Sequence, residues 1–395
     1  MERDVYVVST ARTPVGKRNG YLREWIAPEL LGHVLDAAID KIDLDPELVE
    51  DVITGCVYQV GEQGFTIARM GVFASEKLDS KQVPGISINR QCGSSLSAVT
   101  MGYALIRSGV HDVVIASGCE TMTKYGIASD TGGTLMNGQP MGSPYHAFYM
   151  KAVNNELRDQ MQCAQQIAKE YGITLEECLD LAVSSHQKAA RAADAGYFDN
   201  EIVPTKGKDK DGNEIIVNRD ETIRPDTTAD KIRNLPPVSG TEWVSAGISS
   251  PVTDGASAVI LMSEERMTTL NLTPLARVAY NAVTGSDPRL MLTGPVDVWP
   301  KMIAASGLDQ DDIGLFEVNE AFAPIPLAFT RTYGIPLEKL NVNGGALALG
   351  HPVGNSGTRI TCTLINEMRR RQERYGYATL CTGGGMAPAV IFELA

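Results

Sequence analysis

Along the chain, short runs of β-branched and apolar residues alternate with stretches of helical periodicity, and this alternation restricts the fold to the α/β class. The pattern predicts strands over 5–9, 51–57, 86–89, 113–117, 258–262, 276–281, 315–318, 340–343, 379–381 and 390–393. It predicts helices over 28–42, 94–108, 174–195, 299–306, 321–333 and 356–375. One arrangement occurs twice. Ile86-Ser-Ile-Asn leads into Gln91-Cys-Gly-Ser-Ser, a helix, and then Val113-Val-Ile-Ala-Ser-Gly. Leu340-Asn-Val-Asn leads into a glycine-rich loop, a helix, and then Thr379-Leu-Cys-Thr-Gly-Gly. Two readings fit: a chance recurrence of α/β units, or a duplicated fold whose halves face each other. Between the copies, from 122 to 244, the texture changes to Gly/Ser/Thr-rich and then helical and charged segments, as in a functional insertion placed over a site.

At 395 residues with 43% hydrophobic and 21% charged side chains, the chain can bury a core without staples. No apolar run approaches the roughly 18 residues of a membrane span, so no membrane insertion is expected. The net charge of −13 argues against nucleic-acid or anionic-lipid partners, whose binding needs clustered Lys and Arg. It leaves room for an anionic small molecule held by a few local cations. The seven cysteines are dispersed, with no Cys-x-x-Cys pair and no zinc spacing, so reduced thiols in a cytoplasmic protein without a metal site are expected. The chain enters its first strand almost at once, and no targeting segment is read before it.

Two thiols stand out. Cys92 lies at a strand-to-helix turn, where the helix dipole and free N–H groups favour a thiolate. From this context it is either a nucleophile or a small buried hydrophobe. Cys381 precedes Thr382-Gly383-Gly384-Gly385, a run that bares backbone N–H groups but matches neither the dinucleotide fingerprint nor the P-loop. A nicotinamide dehydrogenase is thereby disfavoured. Among five histidines, His351 alone sits in a loop shaped by glycines, Asn343-Gly-Gly-Ala-Leu-Ala-Leu-Gly-His-Pro-Val-Gly-Asn-Ser-Gly. Asn319, in Asn319-Glu-Ala-Phe-Ala, is either a helix cap or a polar group aimed at a site.

Together these segments resemble the thiolase family of acyl-CoA:acetyl-CoA C-acyltransferases over essentially the whole length. Further matching pieces are Ala11-Arg-Thr-Pro-Val-Gly-Lys, Ser185-His-Gln-Lys-Ala, Glu201-Ile-Val-Pro, Arg224-Pro-Asp-Thr-Thr and Ser245-Ala-Gly-Ile-Ser-Ser-Pro-Val-Thr-Asp-Gly-Ala. The resemblance implies a duplicated αβαβα layered fold with an inserted loop domain. Its halves would be 1–121 with 245–272, and 273–395, and the insertion 122–244 would cover the CoA site. It also implies reversible CoA-dependent cleavage of a 3-oxoacyl-CoA, or the reverse Claisen condensation. In that scheme Cys92 carries the acyl group, His351 activates the thiol, and Cys381 moves the α-proton of acetyl-CoA. One oxyanion hole would use His351 and a water held by Asn319, and the other the backbone N–H groups of Cys92 and Gly383. Arg224 would meet the nucleotide of CoA, Ser250 its pantetheine, and Met291 and Phe322 would line the acyl pocket. No metal or cofactor is implied beyond CoA as a substrate, and the assembly implied is a homodimer or homotetramer. A non-catalytic acyl-CoA-binding subunit would show degraded motifs, and all four active-site motifs are intact. A 3-oxoacyl-carrier-protein synthase would carry a second histidine in place of Asn319 and have no use for Cys381. The chain departs from the family pattern at Lys124-Tyr-Gly-Ile-Ala, Cys163-Ala-Gln-Gln, Ile248 and Ala387, positions expected near the acyl pocket or its cover.

Overall fold

The computed structural model describes residues 3–238 and 240–395, which hold twelve strands: nine overlap the apolar runs, and three short ones, Gly16–Lys17, Thr205–Lys208 and Glu214–Val217, lie outside them. They are β1 (Val5–Arg12), β2 (Gly16–Lys17), β3 (Asp51–Gly55), β4 (Gly85–Ile88), β5 (Val113–Thr121), β6 (Thr205–Lys208), β7 (Glu214–Val217), β8 (Thr253–Ser263), β9 (Ala276–Gly285), β10 (Ile313–Val318), β11 (Tyr375–Thr379) and β12 (Met386–Leu394). The first half runs β4-β3-β5-β8-β1, and the second β10-β11-β12-β9. In both halves a parallel pair is followed by two antiparallel steps: β3 with β5, then β8, then β1; β10 with β11, then β12, then β9. The halves meet edge to edge through Tyr6–Arg277 and Val7–Ala276 of β1 and β9. The recurrence seen in the sequence is therefore a duplicated fold.

The second half lacks a full counterpart of β4. The strand expected over 340–343 is absent, and Leu340 makes a single parallel bridge to Phe316. The reason is Asn341, whose left-handed backbone (φ 42°) breaks the extended run. Its side-chain amide replaces the ladder, accepting from Val318 N and donating to Val318 O, both at 3.0 Å. Two other expectations shift. The helix read over 356–375 ends at Arg371, because Gln372 takes a left-handed cap, and of the freed residues Tyr375 opens β11. Of 379–381 only Thr379 belongs to a strand; Leu380 and Cys381 follow its end.

Two helices, Ser94–Arg107 and Ser356–Arg371, lie between the halves, and residues of both helices and both halves share one buried cluster. Small residues permit this. A Cβ on Gly357 would fall 2.0 Å from Leu96 N, so only glycine allows that approach. Buried hydroxyls close on their own helices, as Ser97 Oγ to Gly93 O and Thr361 Oγ1 to Gly357 O, both 2.8 Å. Ser95 Oγ of one helix accepts from Thr358 N in the first turn of the other at 3.0 Å, satisfying an N–H that no helical carbonyl reaches. The outer layers are Ala27–Asp40 with Ile67–Ala74 on the first half, and Gly294–Ser306 with Pro324–Tyr333 on the second. In the last layer Trp299 packs on Phe316, Phe329 and Tyr377 at 4.9–5.7 Å between centroids, each pair contributing about 1 kcal/mol beyond burial.

Between β5 and β8 the chain makes the long excursion read in the sequence, with helices Gln160–Glu170 and Leu175–Asp194 and the hairpin β6–β7. Its tie to the first half explains two family motifs. Arg12, fully buried, donates to Glu201 at 2.7 Å and forks onto Asp220 at 2.7 and 3.0 Å, a planar match that only guanidinium makes. No helix among the described residues is long and apolar enough to cross a membrane.

Candidate active site

Cys92 follows Gln91, whose left-handed backbone (φ 48°) turns the chain from β4 into the helix Ser94–Arg107. Its sulfur lies in an apolar cluster of Val57, Tyr58, Met122 and Val353. The backbone N–H groups of Gly383 and of Cys92 itself point at the sulfur and favour thiolate, but burial outweighs them and pushes the thiol up to about 12. Glu120 adds to the rise. The thiolate expected from the helix end is thus corrected: the resting group is a neutral thiol, because desolvation exceeds what two N–H groups return.

Cys381 comes from the end of β11, and burial followed by the neighbouring Cys92 raises its thiol well above the ordinary value. The segment after it turns through Gly384 and Gly385 at φ 81° and 76°, values that side chains disfavour. This turn aims Gly383 N–H at Cys92.

His351 is buried, and burial followed by the charge of Arg359 lowers it to about 3, so its imidazole is neutral. The tautomer follows from Ser356. That hydroxyl donates its one proton to Pro352 O at 2.9 Å, so at 2.6 Å from His351 Nδ1 it accepts. Nδ1 therefore carries the hydrogen, and Nε2 is left as a bare acceptor. Asn319 Nδ2 lies 3.4 Å from Nε2 and 3.5 Å from Nδ1, and Asn319 Oδ1 is buried with no partner. Asn319 is no helix cap; the helix starts later, at Pro324. It follows β10, and its N–H bonds Thr379 O at the end of β11.

The next residue, Glu320, is fully buried and ties three segments together. It accepts from Ser185 Oγ at 2.7 Å, Asn341 Nδ2 at 2.8 Å and Leu347 N at 3.1 Å. The Ser185 motif is therefore a brace for the His351 loop. Sequence reasoning gave no role to Ser356, Glu120 or Tyr58. Ser356 was within reach, since it follows the histidine by five residues in the same small-residue loop.

Of the residues expected to bind substrate, Met291 and Phe322 are buried in one cluster with Cys381. Ser250 donates its N–H to Ala321 O, beside the Asn319 segment. Arg224 is exposed, and its backbone N–H is held by His186 Nδ1 at 3.2 Å. The departures Ile248 and Ala387 are fully buried in the cluster that holds Cys381. Among the described residues no group of three or more His, Cys, Asp or Glu is placed to hold a metal ion.

Two thiols, a neutral imidazole, an amide and a glycine N–H are thus drawn from loops of two duplicated halves, and the chain as a whole has known relatives. Residues 5–265 match the family model of the thiolase N-terminal domain, and residues 272–394 that of the thiolase C-terminal domain. A 3-ketoacyl-CoA thiolase of Marinobacter nauticus is 41% identical over 99% of this chain and 98% of its own length. One of Bacillus subtilis is 38% identical over 99% and 100%. The crystal structure of human mitochondrial 3-ketoacyl-CoA thiolase superposes with a TM-score of 0.90 at 36% identity, covering 100% of this chain and 99% of that one. The same human protein in complex with CoA gives 0.89, over 100% and 98%. With both domain models matched in order over nearly the whole chain, the chain belongs to the thiolase family.

Proposed function

We propose that the protein is an acyltransferase that cleaves a 3-oxoacyl-CoA with CoA, or runs the reverse Claisen condensation, through an acyl group on Cys92. The observation that carries this reading is the convergence on one buried thiol of a second thiol, a backbone N–H and a loop bearing a neutral imidazole. His351 Nε2, neutral and without a hydrogen, takes the Cys92 proton as sulfur attacks the 3-oxo carbonyl in cleavage, where the C2–C3 bond then breaks, or the acyl-CoA thioester in condensation, where the proton passes to the departing CoA sulfur. The exchange of one thioester for another keeps the acyl group activated. Cys381 removes the α-proton of acetyl-CoA in condensation and returns it to the departing carbanion in cleavage. The oxyanions fall to the N–H groups of Cys92 and Gly383, and to a water on Asn319 with His351 once its Nε2 holds the proton taken from the thiol. Loss of one such donor costs about 3 kcal/mol of barrier.

CoA enters as a substrate, with no resident cofactor. Arg224 is exposed as a nucleotide-phosphate contact must be, Ser250 serves the pantetheine, and Met291 and Phe322 line the acyl pocket beside Cys381. In domain terms the halves are 1–121 with 245–272, and 273–395, with 122–244 over the CoA site. A homodimer or homotetramer in the cytoplasm completes the reading. Exposed Leu135, Met136, Tyr145 and Phe148 in one stretch support self-association, which light scattering would measure.

The test is mass spectrometry of the protein with a 3-oxoacyl-CoA. An acyl adduct on Cys92, and loss of CoA-dependent cleavage in Cys92→Ala, are expected. Full turnover by Cys92→Ala would overturn the assignment.

A further inference from the structure

Glu120 lies near the end of β5 in the first half and is fully buried. Donors from three segments converge on it. Its Oε2 accepts from Val57 N at 2.8 Å and Gly354 N at 2.9 Å. Its Oε1 accepts from Gln63 Nε2 at 2.7 Å and Tyr58 N at 3.2 Å, with Cys56 Sγ at 3.7 Å. Four N–H groups on two oxygens need a carboxylate, since a glutamine offers one acceptor oxygen. Burial raises its carboxyl above the usual range, while the four donors pull it back toward the charged form.

The donors matter because of what they carry. Val57 and Tyr58 belong to the apolar cluster around the Cys92 thiol. Gly354 comes from the other half, three residues after His351, and its neighbour Val353 joins the same cluster. At Gly354 a Cβ would stand 2.5 Å from Glu120 Oε2, so the loop closes on the carboxylate only with glycine there. Glu120 touches neither reacting atoms nor a substrate site described above.

We propose that Glu120 is a positioning residue of the thiolase reaction, its carboxylate fixing the His351 loop of one half against the walls of the Cys92 pocket in the other. The inference rests on the reading of Cys92 as nucleophile and His351 as its base. Glu120 also sets a negative charge near the Cys92 sulfur, which keeps the proton there until His351 takes it. The two effects separate on mutation. Glu120→Gln removes the charge and turns one acceptor into a donor facing an N–H. Glu120→Asp keeps the charge but is one methylene too short to reach both loops.

The experiment measures kcat and KM for CoA-dependent cleavage, and the rate at which iodoacetamide alkylates Cys92 at mildly alkaline pH, read by mass spectrometry. Both variants should lose about tenfold or more in kcat with little change in KM, the scale on which small misplacements act. Alkylation should be at least about threefold faster in Glu120→Gln than in Glu120→Asp, because only the former relieves the thiol of a like charge. Loosening of the pocket alone would speed both alike. A folded variant with kcat within twofold of the parent, or equal alkylation in the two, overturns the proposal. Should Glu120→Gln fail to fold, the kcat of Glu120→Asp decides. A parent protein that forms no acyl-Cys92 would instead overturn the thiolase reading itself.

Discussion

Replacing Ser356 by alanine tests the assignment of the imidazole tautomer. In the parent, Ser356 Oγ stands 2.6 Å from His351 Nδ1 and donates onward to Pro352 O. Without the hydroxyl, Nδ1–H is buried with no acceptor, a loss of about 1–3 kcal/mol. The other tautomer, with hydrogen on Nε2, has Asn319 beside it, and a turn of that amide offers the bare Oδ1. The population able to take a proton from Cys92 then falls by about 5- to 150-fold, at 1.36 kcal/mol per tenfold. Steady-state cleavage of a 3-oxoacyl-CoA reads this as a drop in kcat with the thermal midpoint within a few degrees of the parent. Ser356→Thr, which restores the hydroxyl, should recover most of it. Because His351 titrates only at about 3, the ratio of parent to variant should be the same at every pH from 6 to 8. A Ser356→Ala enzyme with kcat within twofold of the parent, or Ser356→Thr no better than Ser356→Ala, refutes the tautomer argument.

Two further outcomes concern stability. Arg12→Met leaves Glu201 and Asp220 buried without their cation, and should cost about 3–5 kcal/mol in denaturant unfolding; an unchanged midpoint would show that the carboxylates find other partners. Glu317 is pushed up to about 8, chiefly by burial, with Arg359 opposing. Between pH 4.5 and 8 the native state holds a proton that the unfolded chain has released, so this contribution is complete at low pH and is lost as pH rises. The stability of the parent relative to Glu317→Gln should therefore fall across that window, by at most ~1.4 kcal/mol per pH unit, and a rise would contradict the burial argument.

What the sequence made legible was whatever depends on local pattern. The helices that follow Cys92 and His351, and most strands of both halves, show their periodicity directly, and the motifs pointed to the family. The strand expected at 340–343 was misread because a side chain took over a backbone's work: Asn341 satisfies Val318 through its amide, and no periodicity records that. The protonation state of Cys92 was misread for a related reason. A helix end is visible in sequence, whereas the burial that outweighs it comes from Tyr58, Met122 and Val353, far away along the chain. Glu120 and Ser185 escaped because their partners lie in other segments, and only the fold brings them together.

The contact between the two central helices has a thermodynamic consequence. Ser95 caps the helix that begins after His351, and Leu96 packs against Gly357, so the segments holding nucleophile and base start from a single junction. That junction is shared core of both halves, so neither half can open at the site while the other stays intact. Heat inactivation and global unfolding should accordingly coincide as one cooperative transition. The first half alone would keep Cys92 and the second the other four groups, and each would lack the surface against which its central helix packs.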